Sequence, residues 1–237
     1  KSFHSTYYQP KNAIVVVAGD IDKDTIFSLV EKRFKDIKNC CEIPTPHFVE
    51  PKLEGAKRVV LKKESDVEML AIAYHIPNFE HEDQLFLSAL SELLGSGKSS
   101  RLYKKLVDEK RVVNQIYAYN MELKDDGIFM VMAICNDGIK AENVEKIILE
   151  EIEKIKTKSI KKEEIEKIKV NTKSDFIFSL ESSSNVADLI GGYFTRGNIE
   201  PLLNHEERIS NLNEEDVKKV ANRYLYEDNS ITVILKK

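Results

Sequence analysis

Histidine and glutamate lie close together at one point of the sequence, and this cluster is the first candidate for a metal site. His75 is followed by Glu80 and His81. Helical zinc sites need His-x-x-Glu-His or His-Glu-x-x-His, because those spacings turn both imidazoles and the carboxylate to one helix face. Here four residues separate His75 from Glu80, and Pro77 is among them. We therefore interpret these histidines as surface or strand-end residues; the sequence holds no zinc box.

The run Gly-Ser-Gly-Lys-Ser at residues 95–99 resembles the end of a phosphate-binding loop. The full motif requires another glycine five residues before Gly97, where Glu92 stands, and a strand leading into the loop. The preceding residues have helical periodicity instead. The run therefore fits the end of one helix at a glycine and the start of the next at a serine. A small-molecule or phosphate binder remains one of three function classes to weigh.

Nucleophilic catalysis finds no support in the sequence. No Gly-x-Ser-x-Gly elbow occurs, and the paired carboxylates belong to lysine–glutamate helix faces that are typical of solvated surface. Cys40 and Cys41 are adjacent and Cys135 lies in an apolar run, so we interpret all three as free thiols. Free thiols favour a reducing compartment such as the cytoplasm. A periplasmic location stays open, because the sequence starts at Lys1 without a methionine.

The composition is that of an ordinary globular protein. Of 237 residues, 42% are hydrophobic and 32% are charged, and the 36 basic and 40 acidic residues give a net charge of −4. Lysines are interleaved with glutamates and form no basic stripe, which argues against a nucleic-acid partner. The longest apolar runs, such as 14–18 and 130–135, are too short to cross a bilayer, so no membrane span is predicted.

Hydrophobic periodicity divides the chain into three stretches. Residues 8–38 predict a strand over 13–18 and then a helix, and 39–54 predict a proline-containing linker. From residue 55 the pattern predicts an α+β domain with helices on one face of an antiparallel or mixed sheet. The predicted elements of this domain are strands over 58–63, 67–75, 112–123, 127–136 and 230–235, and helices over 83–94, from 99, and over 142–156, 161–180, 184–195 and 213–224.

Three details of this domain are specific predictions. The strand over 67–75 is nearly all apolar and is predicted to be buried. Asp83 is predicted to cap the helix that follows. Residues 124–127, Lys-Asp-Asp-Gly, form a hairpin turn signal between two predicted strands.

Several longer segments resemble one known family, in register along essentially the whole chain. Near the N-terminus these are Tyr8-Gln-Pro-Lys-Asn12 and the following Ala-Ile-Val-Val-Val-Ala-Gly-Asp20. Further on they are His75-Ile-Pro-Asn78, Leu93-Leu-Gly-Ser-Gly-Lys-Ser-Ser-Arg-Leu-Tyr103, Lys105–Lys110, Lys161–Ile165, Leu180–Ser182 and Leu212–Val217. In these segments the sequence resembles the pitrilysin/insulinase family of zinc peptidases, which includes insulin-degrading enzyme and the mitochondrial processing peptidases.

In that family two lobes of similar fold enclose a chamber that holds an unfolded peptide. The resemblance implies that residues 1–38 end the first, zinc-binding lobe, that 39–54 link the lobes, and that 55–237 form the second, non-catalytic lobe. Zinc in the parent protein would then be held by the missing first lobe, where it activates the attacking water, and this chain would bind none. The implied partners are that lobe and a peptide or unfolded polypeptide; a homodimer or a heterodimer stays open.

The resemblance also implies a set of substrate-contacting residues. They are Gly95, Gly97, Ser99, Ser100 and Arg101 in the glycine-rich loop, together with Tyr117. Many members carry an arginine and a tyrosine seven positions apart after this loop. A gap-free alignment places Val107 and Asn114 there, whereas Lys110 and Tyr117 have the spacing only after an insertion of three residues. Tyr117 and Tyr119 would also simply alternate along a strand.

Two functions remain open within the family. The first is the non-catalytic, substrate-enclosing lobe of a zinc metalloendopeptidase, a hydrolase that acts on peptides or unfolded protein segments; alone, this chain would be inactive. The alternative is a non-proteolytic partner or scaffold subunit that acts beside a zinc-bearing chain, as the core proteins of a respiratory complex do. A His-x-x-Glu-His box upstream would favour the first.

Overall fold

A computed structural model describes residues 1–45 and 50–236 of the protein. The chain forms two compact units, the first from residues 1–50 and 174–203 and the second from residues 51–173 and 204–237. Residues 46–49 of the predicted linker lie outside the described residues, as does the C-terminal lysine. Within the described part of the chain, no helix is long and apolar enough to cross a membrane.

Ten α-helices lie in the described residues. They are α1 (Ser2–Tyr7), α2 (Lys23–Phe34), α3 (Gln84–Gly95), α4 (Arg101–Tyr103), α5 (Ala141–Thr157), α6 (Lys162–Ser179), α7 (Ser183–Arg196), α8 (Glu200–Leu203), α9 (His205–Ser210) and α10 (Glu214–Tyr224). α4 continues directly as a π-helix over Lys104–Glu109. The predicted helices are therefore present, with bounds that differ by a few residues.

The second unit is built on one five-stranded sheet. Its strands are β1 (Lys57–Lys62), β2 (Met69–Ile76), β3 (Val113–Met121), β4 (Gly127–Cys135) and β5 (Ser230–Lys236). The order is β1-β5-β2-β4-β3, with β1 parallel to β5 and every other pair antiparallel. The predicted α+β class with a mixed sheet is confirmed, and the turn after β3 joins it to β4 as the hairpin signal predicted.

One face of this sheet is buried under helices. Alternate residues of β2 and β4, such as Leu70, Ile72 and Val131, are buried, and α3, α5 and α10 pack against these strands. Apolar side chains that alternate with period two can all reach the same face of a pleated strand, so burying them stabilises the helix–sheet contact. This face contains most of the hydrophobic core of the unit.

The opposite face of the sheet, which we call the open face, is only partly covered. The prediction that residues 67–75 are buried is therefore wrong for six of the nine: Leu70, Ile72 and Tyr74 are buried, Met69 is exposed, and the other five are half-buried. The strand is apolar on both faces, and composition cannot tell which of them the helices cover. From the strand register, the open face carries Lys57, Val59 and Leu61 of β1, Ile231, Val233 and Leu235 of β5, Met69, Ala71, Ala73 and His75 of β2, Ile128, Met130, Met132 and Ile134 of β4, and Gln115, Tyr117, Tyr119 and Met121 of β3.

Asp83 stands at the predicted N-cap position of α3, but its side chain caps nothing. The carboxylate, 5% exposed as a residue, accepts hydrogen bonds from Nη1 of Arg223 at 2.6 Å and from the hydroxyl of Tyr224 at 2.7 Å. A charge-assisted bond to arginine competes with backbone amide donors for the same oxygens. The capping prediction is corrected accordingly: Asp83 ties the start of α3 to the end of α10. Burial raises the pKa of Tyr224 to about 12, with a further rise from its bond to Asp83.

The first unit buries few of its residues. Helices α1, α2 and α7 contain no buried residue. Gln9 holds two chain segments together: its Nε2 donates to the carbonyl of Cys41 at 3.1 Å, and its Oε1 accepts from the amide of Cys40 at 2.8 Å. The strand predicted over residues 13–18 is wrong, since these residues lie in no helix or strand. A strand needs a partner for its backbone groups, and no strand pairing involves this segment in the described residues.

Candidate functional site

Gly95, the last residue of α3, is buried against the sheet. A Cβ atom built on it would lie 2.5 Å from the backbone nitrogen of Ala118 and 2.7 Å from the Cβ of the same residue. The carbonyl carbon of Tyr117 would be 3.0 Å away. The absence of a side chain at Gly95 therefore lets the end of α3 approach β3 closely. This packing explains the glycine without a ligand.

The next residues form a tight, exposed turn. Gly97 has a φ of +76°, in the left-handed region, with nothing within 4 Å of an added Cβ. Ser100 is buried and closes the turn, because its hydroxyl donates to the Gly97 carbonyl at 2.8 Å and its amide donates to the same oxygen at 3.2 Å. Ser99 is exposed, and its hydroxyl accepts a hydrogen bond from Nζ of Lys167. Only Gly97 and Ser99 of the predicted loop residues face solvent.

Arg101 is held inside the second unit. Its Nε and Nη2 donate to the two carboxylate oxygens of Glu164 at 2.8 and 2.6 Å, a two-point ion pair. Bonds from Arg101 are the main cause that lowers the pKa of Glu164, and the amide of Lys161 adds a bond at 3.0 Å. Asn171 donates to Glu92 at 2.6 Å. These contacts, together with the hydrogen bond from Lys167 to Ser99, attach α6 to α3 and to the loop.

Tyr117 lies on β3 and belongs to the open face. It is 49% exposed and stands opposite Met132 of β4, and its hydroxyl donates to Oε1 of Gln115 at 2.8 Å. The backbone of Tyr117 lies next to Gly95, although the two residues are 22 positions apart in sequence. Of the alternatives for the Arg–Tyr pair, Lys110 and Asn114 are exposed and Val107 is half-buried.

The histidines and cysteines of the described residues do not converge. No group of three or more His, Cys, Asp or Glu side chains in residues 1–45 and 50–236 is arranged to hold a metal ion. Nδ1 of His81 accepts from the amide of Asp83 at 3.1 Å. Burial lowers the pKa of His205. His47 lies outside the described residues.

Sequence reasoning missed two features. The bonds of Asp83 to Arg223 and Tyr224 join residues 140 positions apart, so no local pattern could indicate them. The open face was missed because the central strand, over residues 67–75, is nearly all apolar and was predicted to be buried. A partial signal was present, however: Met130 and Met132 alternate along one predicted strand, and the register places these two, with Met69 and Met121, on the open face.

The model of a known family covers most of the chain. Residues 1–171 match the family described as "Peptidase M16 inactive domain". The chain belongs to this family. The resemblance to pitrilysin/insulinase-type zinc peptidases is thereby confirmed.

Curated relatives of the chain carry zinc-protease names. The chain is 44% identical over 239 residues to zinc protease PqqE of Helicobacter pylori, a match that covers 100% of this chain and 54% of the relative. It is 24% identical over 191 residues to the uncharacterized zinc protease YmxG of Bacillus subtilis, with coverage of 78% and 44%. The chain thus spans about half the length of the curated relatives it matches.

Solved structures show the same fold. A crystal structure of a protease from Helicobacter pylori has a TM-score of 0.96 at 44% identity, covering 100% of this chain and 58% of that one. The M16 inactive domain of Pseudomonas fluorescens has a TM-score of 0.74 at 19% identity, with coverage of 92% and 52%. A chain of complex III2 from Candida albicans reaches 0.71 at 18% identity, with coverage of 92% and 53%.

Proposed function

We propose that this chain is the non-catalytic, substrate-enclosing lobe of a zinc metalloendopeptidase that hydrolyses peptides or unfolded protein segments. The observation that carries the proposal is the match of residues 1–171 to an inactive M16 domain, in a chain half as long as relatives named zinc proteases. Zinc chemistry would then be supplied by the other half of the parent protein. This chain would contribute binding surface and no metal ligand.

In this proposal residues 1–38 end the first lobe, 39–54 link the lobes and 55–237 form the second lobe. Burial supports the assignment of 1–38, because α1 and α2 bury no residue of their own. Phe27 is 62% exposed, and Phe34 and Ile37 are exposed too. Phe27 and Phe34 are seven residues apart on α2 and so lie on one face of the helix, and exposed apolar surface of this kind marks a contact that is absent. The preceding part of the first lobe would cover it.

Substrate would meet this lobe at the loop, at the sheet edges and at the open face. Every residue of the edge strand β1 is exposed, and an exposed strand edge offers backbone donors and acceptors to an extended peptide. Among the six predicted site residues, Gly97, Ser99 and Tyr117 are exposed and would contact peptide directly. Gly95, Ser100 and Arg101 are engaged in packing or internal bonds and would position the loop.

The second candidate is a non-proteolytic partner or scaffold subunit that acts beside a zinc-bearing chain. The observation that favours this candidate is the similar fold of a chain that belongs to a complex, complex III2 from Candida albicans. The exposed apolar residues of α2 would then be covered by a neighbouring subunit. A phosphate binder is disfavoured, because the loop follows a helix and Gly95 already has a packing role.

Zinc content and peptide hydrolysis, measured on the full-length protein and on the 237-residue chain, test the proposal. We expect one zinc per full-length molecule with chelator-sensitive cleavage of an unfolded protein, and neither property in the chain alone. Tightly bound zinc and chelator-sensitive cleavage by the chain alone would contradict it. Full-length protein that cleaves only after a zinc-bearing partner is added would favour the second candidate.

A matched pair of variants tests the contact at Tyr117. Tyr117→Ala in the full-length protein should lower peptide turnover, because it removes an exposed ring of the open face. Tyr117→Phe should keep nearly the parent rate, since the hydroxyl that it removes donates to the neighbouring Gln115. The parent rate in both variants would mean that Tyr117 does not touch substrate.

A further inference from the structure

The open face has an apolar surface that crosses the whole sheet. One row of paired positions runs from Tyr117 through Met132, Ala71 and Val233 to Val59, and every residue of the row is apolar or aromatic. Strands lie about 4.8 Å apart, so the row is about 19 Å long. Met132 is 37% exposed and Val59 is 44% exposed. An apolar surface of this extent is unusual on a protein that leaves it to water.

The side chains at the centre of the open face are smaller than those on either side of it. The two middle open-face residues of β2 are Ala71 and Ala73, whose side chains are single methyl groups. Beside them stand Met132 and Met130 on β4, and Val233 and Ile231 on β5. Small residues between two lines of larger ones make a short depression at the middle of β2, which we call the groove; Met69 and His75, the next open-face residues of β2, stand at its two ends. Methionine forms one side of it, and its flexible, polarisable side chain adapts to different partners.

Charge is nearly absent from this groove. Among the described strand positions of the open face, Lys57 is the one charged residue, and none is acidic. The rest of the chain is rich in charge, with 76 acidic and basic residues in total (36 + 40). Desolvating a charged side chain against such a surface costs free energy that no counter-charge restores. The groove is therefore complementary to uncharged, apolar side chains.

We propose that the methionine-lined groove at the middle of β2 binds an extended, uncharged and apolar polypeptide segment, and so makes the parent protein selective for such segments. This proposal rests on the function proposed above and adds the chemical class of the substrate. The groove binds side chains, whereas the sheet edges and the loop offer mainly backbone contacts that do not depend on sequence. Selectivity would therefore come from the open face.

The test measures binding, so that it does not depend on catalysis. Full-length protein, with its zinc removed by a chelator, is titrated with two fluorescent nonapeptides. One peptide is apolar and uncharged, and the other carries two aspartates at central positions. We expect the apolar peptide to bind at least about tenfold more tightly, a difference of about 1.4 kcal/mol. Equal affinity for the two peptides would overturn the proposal.

Three variants locate the binding on the groove. Met132→Gln keeps the length of the side chain and makes it polar, and it should weaken the apolar peptide about fivefold or more. Met132→Leu, the matched control, should stay within about twofold of the parent, because it stays apolar. Ala71→Leu fills the groove floor and should also weaken binding. Circular dichroism of each variant checks that it is folded.

Each remaining outcome has a definite meaning. Peptide binding that all three variants leave unchanged places the peptide elsewhere and overturns the proposal. A dimer in sedimentation that Met132→Gln dissociates would make a second copy the occupant, which also overturns it. If the parent binds no peptide of either kind, the proposed function fails as well. Binding of both peptides with equal strength, by contrast, leaves the proposed function intact and removes only the selectivity.

Discussion

Replacing Gly95 with alanine would put a methyl group into the contact between α3 and β3. The new Cβ would lie 2.5 Å from the backbone nitrogen of Ala118, whereas non-bonded heavy atoms are most stable at about 3.5–4.0 Å. The end of α3 would have to move by about 1 Å to relieve this overlap. The neighbour is backbone and cannot rotate away as a side chain could.

The cost can be worked from these contacts. Overpacking of a core typically destabilises by about 1–3 kcal/mol. Alanine also restricts the unfolded chain more than glycine does, which offsets about 0.4–1 kcal/mol. Because the 2.5 Å contact is with backbone, the cost lies at the upper end of the range, about 3 kcal/mol, and we expect Gly95→Ala to lower the free energy of unfolding by about 2 kcal/mol net. Gly97→Ala is the control, because its Cβ meets nothing within 4 Å and only its φ of +76° is strained, at about 1 kcal/mol.

Urea denaturation followed by circular dichroism measures both variants. The double variant Gly95→Ala with Ala118→Gly separates the two contacts, since it removes the 2.7 Å contact with the Ala118 methyl and keeps the 2.5 Å contact with the backbone. Rescue should be partial, with a coupling energy on the order of 0.5–1 kcal/mol. Gly95→Ala as stable as the parent, or complete rescue in the double variant, would refute the close approach of α3 to β3.

Three further outcomes are expected. Asp83→Ala should lower the free energy of unfolding by about 2–3 kcal/mol in urea titrations, because it leaves Arg223 and the hydroxyl of Tyr224 without their buried acceptor. Asp83→Asn should lower it by less. A loss as large as that of Asp83→Ala would contradict the role of charge. Arg101→Ala should destabilise by about 1 kcal/mol at neutral pH. The folded pKa of Glu164 is depressed below 4.5, so the ion pair stabilises the fold above that value and its contribution is lost as the pH falls through the folded pKa. The stabilities of the variant and the parent should therefore converge in acid. A stability difference that does not change with pH would argue against the ion pair. Residues 1–38 should drive association of the isolated chain in sizing chromatography over a concentration series, and a monomer at every concentration would count against their assignment to a missing lobe.

Most elements of the second unit could be predicted from the sequence, because each has a local cause. The alternation in β3 and β4 and the turn residues between them specify a hairpin, and the 3.6-residue spacing of α5 specifies its buried stripe. The strand expected at residues 13–18 failed, since β-branched residues favour an extended chain but provide no partner for its backbone groups. The capping role expected of Asp83 failed for a similar reason: a distant arginine is a stronger donor than the local amide.

The candidate site, like the fold, depends partly on local sequence and partly on tertiary contacts. The sequence by itself determined the family and the position of the glycine-rich loop, because these depend on residue types and spacings along the chain. Only the tertiary structure decided that Gly95 packs on β3, that Arg101 is bound to Glu164, and that four methionines lie together on one face of the sheet. Those facts depend on which strands pair and in which register, and such pairings join residues far apart in sequence that no local pattern relates.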